Sequence, residues 1–319
     1  MRIACIGNAV YDITVSSENF LLEGVRNSFT NASFNAGGPA SNAASVIARF
    51  GNEVDFYGRI GNDENGKYIY NKMRSENINL KHLTISETVM TPFSFVILNT
   101  FKDTRTICTV RDAVDYGTPK IGNTIYESGY DYILTDGKYV EDTINLMKAN
   151  PGAKTVIDAG RANGGVTAFC HLVDYIICSE DFANKVTGET INDDHENNVM
   201  IYERMKQLYP QAQIVITIGG KGQIIEKNGE VIVNPAYNPE KPIVDTNGAG
   251  DIFHGAFTFA IANGYEYYEA LDFAGITASL SITKPGGRDS CPDLEEVTEV
   301  LKNKPSGFVK KIKPKTSCA

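Results

Sequence analysis

Short apolar runs recur along the chain at Ile3–Ile6, Val54–Tyr57, Tyr132–Leu134, Thr155–Ile157, Tyr175–Cys178 and Ile214–Thr217, and they read as buried strands. Stretches of mixed polarity between them predict helices near 40–50, 64–77, 140–149, 181–187 and 196–208. Such alternation predicts a parallel sheet flanked by helices. The segment 252–262 is nearly all apolar, which places its helix inside the domain, with Gly264 as a C-cap. A second apolar helix is expected from about Glu266 to Ile282. Two stretches break the alternation: residues 12–36, and Phe93–Val110, where Phe93–Asn99 and Arg105–Val110 flank the turn-forming Lys102-Asp103-Thr104. Both read as exposed antiparallel strands.

Composition narrows the partners. A chain of 319 residues with 42% apolar content supports one large α/β domain or two small ones. A net charge of −9 argues against nucleic acid as the main partner, since duplex binding rests on Lys and Arg neutralising phosphates. The only positive run, Lys310-Lys311-Ile312-Lys313-Pro314-Lys315, reads as a solvated terminus. Cysteines 5, 108, 170, 178, 291 and 318 form no Cys-x-x-Cys pair and no zinc spacing, and fit reduced thiols of a cytoplasmic protein. The N-terminus begins as a strand rather than a signal peptide. No apolar run approaches the roughly 20 residues that span a bilayer, so no membrane role is expected.

The richest chemistry lies in Asp245-Thr246-Asn247-Gly248-Ala249-Gly250-Asp251, which leads straight into the apolar helix. Gly248 and Gly250 lack a Cβ, so successive N–H groups can crowd one point at the positive end of that helix. Such an anion hole, with Asp251 on the first turn to take a proton from a hydroxyl, is equipment for phosphoryl transfer. The plainer reading is a Gly-rich turn with Asp245 or Asp251 as an N-cap.

Near the N-terminus, Gly37-Gly38-Pro39-Ala40-Ser41-Asn42-Ala43-Ala44 sets a glycine pair before an alanine-rich helix. Together the two motifs resemble the signatures of the ribokinase-like (PfkB) carbohydrate kinases. Between them, Gly58-Arg59-Ile60-Gly61-Asn62-Asp63-Glu64-Asn65-Gly66 resembles that family's Gly-x-x-Gly-x-Asp-x-x-Gly, and Thr217-Ile218-Gly219-Gly220-Lys221-Gly222 its nucleotide-side Thr-Leu-Gly-x-x-Gly. The resemblance implies a three-layer α/β/α sandwich over residues 1–305, with a mostly parallel central sheet and a basic tail at 306–319. It also implies a small β lid, within about 12–36 and 91–111, covering a sugar site and offering a route to a homodimer.

It implies an ATP-dependent, magnesium-requiring transfer of the γ-phosphoryl group to a hydroxymethyl group of a pentose, ketohexose or related sugar. Asp251 is then the base, and Gly248, Ala249 and Gly250 supply backbone donors. Asp12 grips two sugar hydroxyls, and Gly37, Gly38 and Asn42 contact others; the plainer readings are an Asx-turn for Asp12 and a helix-entry residue for Asn42. Thr217, Gly219 and Gly222 are the nucleotide contacts, while Lys221 reads as a solvated charge. Asp245 is either a cap or, with Asn247, Ser281, Lys284, Gly286 and Ser290, part of a monovalent cation site for potassium.

One motif departs from the family pattern. Where relatives carry Asn-x-x-Glu to organise magnesium, this chain has Ser179-Glu180-Asp181-Phe182, leaving Glu180 or Asp181 to act through water. Some sugar-kinase branches show a similar Ser-Glu-x-Phe-Ala variant. Arg26, Arg111 and Lys138 suit an anionic acceptor if they converge, and the positions of Arg26 and Lys138, with the Pro285-Gly286-Gly287-Arg288 stretch, resemble the sulfosugar-kinase branch. His254 reads as a hydrogen-bonded core residue, and His82, His171 and His195 form no metal constellation. The rivals are a nucleoside kinase and a nucleotide- or sugar-binding regulator without turnover. A dehydrogenase is disfavoured, because Gly7-Asn8-Ala9 after the first strand is not Gly-x-Gly-x-x-Gly.

Overall fold

A computed structural model of the chain describes residues 1–18, 21–29, 31–99, 101–102, 104–111, 119–162 and 164–303. The basic tail, Cys318 and Asp103 of the expected turn lie outside the described residues. In chain order the first half contains β1 (Arg2–Ile6), β2 (Val10–Ser17), β3 (Ala32–Gly37), α1 (Pro39–Arg49), β4 (Glu53–Gly61), α2 (Glu64–Ser75), β5 (Asn79–Ser86), β6 (Phe93–Asn99) and β7 (Thr104–Val110). There follow β8 (Tyr132–Thr135), α3 (Val140–Ala149), β9 (Lys154–Ala159), α4 (Gly164–Phe169), β10 (Tyr175–Ser179), α5 (Glu180–Thr187), α6 (His195–Leu208) and β11 (Gln213–Thr217). The last part comprises β12 (Gln223–Lys227), β13 (Glu230–Asn234), α7 (Ala249–Ala262), α8 (Tyr267–Ser281) and α9 (Leu294–Asn303).

All six predicted strands join one sheet, ordered β13-β12-β11-β10-β9-β8-β1-β4-β5 and parallel from β5 to β11. Helices cover both faces, which is why these strands are continuous apolar runs rather than alternating ones. Ile3, Ile6, Phe56, Tyr57, Phe257 and Phe273 are fully buried. The strand order reverses between β1 and β8, and that reversal opens a crevice at the carboxyl ends of the strands.

β12 and β13 complete the sheet as an antiparallel hairpin that the apolar runs did not announce. Its turn, Asn228-Gly229, has positive φ at both residues (55° and 79°), as an Asn-Gly hairpin turn requires. α7 ends as expected: Gly264 (φ 83°) donates to the Ile261 carbonyl at 3.2 Å and Tyr265 to Ala260 at 3.1 Å, a Schellman closure.

A second sheet, ordered β3-β2-β6-β7, stands apart from the first. Its outer pairs are antiparallel as predicted, but β2 and β6 pair in parallel, from Tyr11 opposite Phe93 to Ser17 opposite Asn99. The cause is topological. β4, α2 and β5 intervene between the two hairpins, so the second hairpin returns in the same direction as the first. Among the described residues no helix is long and apolar enough to cross a membrane.

Candidate active site

The glycines of the predicted motifs sit where backbones or carboxylates approach too closely for a side chain. A Cβ on Gly37 would lie 1.9 Å from the Asp12 carboxylate, and one on Gly38 (φ 98°) would lie 2.5 Å from the Asn8 carbonyl. These contacts bring β2, the end of β3 and the start of α1 to the crevice. Pro39 opens α1, whose N-cap has no side-chain hydrogen bond.

Gly248 caps α7 in the left-handed conformation (φ 74°), and no side chain caps this helix. The amides of Ala249, Gly250 and Asp251 therefore head the helix at its positive end, a site suited to an anion. α7 lies tightly on α1, because a Cβ on Gly255 would meet the Ala43 carbonyl oxygen at 2.7 Å. That close approach joins the two motifs: the Asn42 amide donates to the Asp251 carboxylate at 2.6 Å, across 209 positions of sequence. The other amide atom, Asn42 Oδ1, is buried and has no partner, leaving an acceptor for an incoming hydroxyl.

The crevice concentrates carboxylates. Desolvation and then the neighbouring Asp158 push the Asp251 carboxyl up to about 7, opposed by the Asn42 amide and His254. Desolvation lifts Asp12 to about 6, opposed by Ser94 and the guanidinium of Arg288. Asp136, closing β8, is raised chiefly by burial; it accepts the Asn8 N–H at 2.7 Å and the Lys138 N–H at 3.0 Å. Asp158, at the end of β9, is also raised by burial, with His254 and the Gly160 N–H acting the other way.

The sequence patterns gave no role to Asp136 or Asp158, and named Arg288 only within the Pro285–Arg288 stretch. The available signal was a carboxylate closing an apolar strand in Leu134-Thr135-Asp136 and Val156-Ile157-Asp158. Arg288 is buried and donates to the Ser41 carbonyl (3.2 Å) and hydroxyl (2.9 Å), one residue before Asn42. His254 is buried and hydrogen-bonded, as expected.

The Asp245 carboxylate caps two loops, accepting the Asn247 N–H at 2.8 Å and the Gly286 N–H at 3.2 Å. Ser281 and Ser290 donate their hydroxyls to the Ala278 and Gly287 carbonyls, and Lys284 reaches Glu296 at 3.2 Å. A cation here would thus rest mainly on carbonyl oxygens. Ser179 N-caps α5 by accepting the Phe182 N–H, while Phe182 is fully buried. Glu180 is half-buried and Asp181 exposed at the same helix start. These two carboxylates are oxygen donors of the kind magnesium takes, and both suit contact through water.

Gly219 and Gly222 frame a tight turn after Thr217; a Cβ on Gly222 (φ 110°) would lie 2.1 Å from the Asn234 carbonyl. Lys221 is exposed and pairs with Asp193 at 2.5 Å. Arg26 is exposed in the β2–β3 connection, Arg111 is half-buried just after β7, and Lys138 is half-buried beyond β8. At the opposite end of the sheet, His82 does fall within 4.8 Å of Asp55 and Glu127, contrary to the expectation of no such grouping. Arg2 lies 2.6 Å from both carboxylates and Lys81 2.8 Å from Glu127, so two cations already neutralise that cluster.

A doubly flanked parallel sheet with an uncapped helix N-terminus and a buried carboxyl cluster at its crevice makes an α/β protein whose site suits an anionic ligand. The pfkB family carbohydrate kinase profile matches residues 1–294, and the chain belongs to that family, whose members transfer phosphoryl groups to hydroxyls. It is 28% identical over 94% of its length to the whole of ribokinase from Bacillus subtilis (strain 168). It is 22% identical, over 94% of its length and 95% of the relative, to 5-dehydro-2-deoxygluconokinase from Shouchella clausii (strain KSM-K16). The solved structure of Arabidopsis thaliana ribokinase complexed with ribose and ATP superposes with a TM-score of 0.76 at 24% identity, covering 94% of this chain and 98% of that one, which shows the shared fold.

Proposed function

We propose that this protein is an ATP-dependent, magnesium-requiring sugar kinase that phosphorylates a hydroxymethyl group of a pentose, ketohexose or related sugar. The observation that carries the reading is the 2.6 Å contact between Asn42 and Asp251, which makes one site of two motifs. Ribose and ATP in the Arabidopsis relative support both substrate classes.

In this reading Asp12 accepts two sugar hydroxyl protons as hydrogen bonds, while Gly37, Gly38 and Asn42 hold other hydroxyls. The acceptor O–H points at Asp251. As the oxygen attacks the γ-phosphorus, its proton passes to the Asp251 carboxylate, and the bond to the ADP leaving oxygen breaks. The amides of Gly248, Ala249 and Gly250 receive the growing negative charge. Thr217, Gly219 and Gly222 border the nucleotide, and Glu180 stands nearest the role of holding magnesium's water shell. Bound magnesium supplies charge neutralisation at the phosphates. The capped loops around Asp245 supply carbonyl oxygens for potassium. Exposed Phe34 and Val110, which the register places on one face of the second sheet, support a homodimer through that face, which light scattering would test.

The test is ADP release from ATP and magnesium across ribose, fructose, tagatose, 2-keto-3-deoxygluconate, sulfofructose, fructose phosphates and nucleosides, in potassium, sodium and choline buffers. Turnover with a neutral sugar supports the reading; turnover with sulfofructose alone would assign Arg26, Arg111 and Lys138 to an anionic acceptor, and with nucleosides alone would move the protein to that branch. Equal rates in the three buffers would remove potassium. Nucleotide binding without turnover on any acceptor would overturn the catalytic reading.

A further inference from the structure

We infer that His254, paired with Asp158, is a positioning residue for Asp251: it clamps the first turn of α7 and supplies the positive charge that lets two carboxylates share one crevice. The assignment rests on Asp251 being the base.

The geometry is specific. His254 Nδ1 lies 2.6 Å from the Gly250 carbonyl oxygen and 3.3 Å from Asp158 Oδ2, and Nε2 lies 3.0 Å from the Ile177 carbonyl oxygen. All three partners are acceptors, so both bonds form only when both ring nitrogens carry protons. A neutral ring would set a buried nitrogen lone pair against a carbonyl oxygen. His254 and Asp158 are both buried, where an unpaired charge is costly, and each is the other's counter-charge.

Two consequences reach the crevice. The carbonyl of Gly250 and the N–H of Asp251 belong to one peptide unit, so a cationic donor on that carbonyl polarises an N–H at the head of α7. The Ile177 bond also ties α7 to β10, the strand that leads into Ser179 and α5. Asp251 is faced by Asp158 from β9, Asn42 from α1, Asp12 from β2 and His254 from its own helix. Asp136, just beyond β8, faces Asp158, and Arg288 faces Asp12. Besides Arg288, His254 is the only cation named among these groups.

The experiment is carboxyl 13C NMR on the full-length, ligand-free protein labelled at aspartate Cγ, with the Asp251 resonance assigned by its loss in Asp251→Asn. In the unmodified chain, desolvation and Asp158, which push the Asp251 carboxyl up to about 7, set the expected midpoint. His254→Asn leaves Asp158 uncompensated, and the midpoint rises by about one pH unit; Asp158→Asn lowers it by about one. The double variant returns toward the starting value. If His254→Asn does not fold, Asp158→Asn alone decides. A midpoint unmoved in the folded variants, or moved the same way by both, would overturn the proposal. The readout needs no turnover, so a silent acceptor panel counts against the kinase reading only, whereas a fully active Asp251→Asn would remove the base that His254 is said to serve.

Discussion

Replacing Asp251 with asparagine is expected to abolish turnover and at the same time stabilise the fold above neutral pH. Loss of a general base costs about 10²–10⁴-fold in rate. The stability effect follows from the crevice: the carboxyl is lifted from 3.8 to about 7 by desolvation and by Asp158. The folded state then holds this proton more tightly than the unfolded chain, so the favourable contribution is complete below about pH 4 and is lost as pH rises through about 7. A difference of that size corresponds to about 4 kcal/mol. The carboxylate is half-buried, and solvent screens part of the effect, so about 2 kcal/mol is expected at pH 8. Asparagine keeps the shape and can turn its carbonyl toward the Asn42 amide without the charge. Urea unfolding at pH 8 should therefore show the variant as the more stable protein; at an m-value of about 3 kcal/mol/M, its midpoint lies roughly 0.7 M higher. The gap should roughly halve by pH 5 and nearly vanish by pH 4. Equal midpoints at pH 8, or a gap that ignores pH, would refute the electrostatic account whatever the activity shows.

Gly37→Ala drives a methyl to 1.9 Å from the Asp12 carboxylate, so the acceptor KM should rise at least about tenfold with little change in the KM for ATP, as steady-state kinetics would show. Gly255→Ala meets the Ala43 backbone at 2.7 Å and should cost about 1–3 kcal/mol in thermal or urea unfolding while stretching the Asn42–Asp251 contact and lowering kcat. Phe182→Glu restores the family's usual carboxylate but puts a charge where the ring is fully buried; a loss of about 3–5 kcal/mol, rather than tighter magnesium dependence, is expected from melting curves and magnesium titrations.

Six of the seven parallel strands were legible because burial on both faces leaves an unbroken apolar run; the edge strand β5, with only two consecutive buried residues, was not, and the helix expectations omitted α4 and α9. Helix ends shifted by only a residue or two, as at α5, which Ser179 caps and which starts at Glu180 instead of 181. The β12–β13 hairpin escaped an apolar-run search although Asn228-Gly229 marked its turn. The Gly248–Asp251 and Gly37–Asn42 motifs were likewise visible as residue patterns. Asp158 stood unremarked because one carboxylate at a strand end looks like any other until the neighbouring strand and helix are in place.

The sequence by itself determined the alternation of strands and helices, the glycines that permit close approach, and the kinase family that four ordered motifs resemble. Only the tertiary structure decided that Asn42 meets Asp251, that Asp158 and His254 stand beside them, that β2 and β6 run in parallel, and that the Asp245 carboxylate joins two loops. The reason is physical: patterning and turn chemistry act within a few residues, whereas the distance between strand ends depends on sheet order and on how tightly Gly255 lets α7 press against α1.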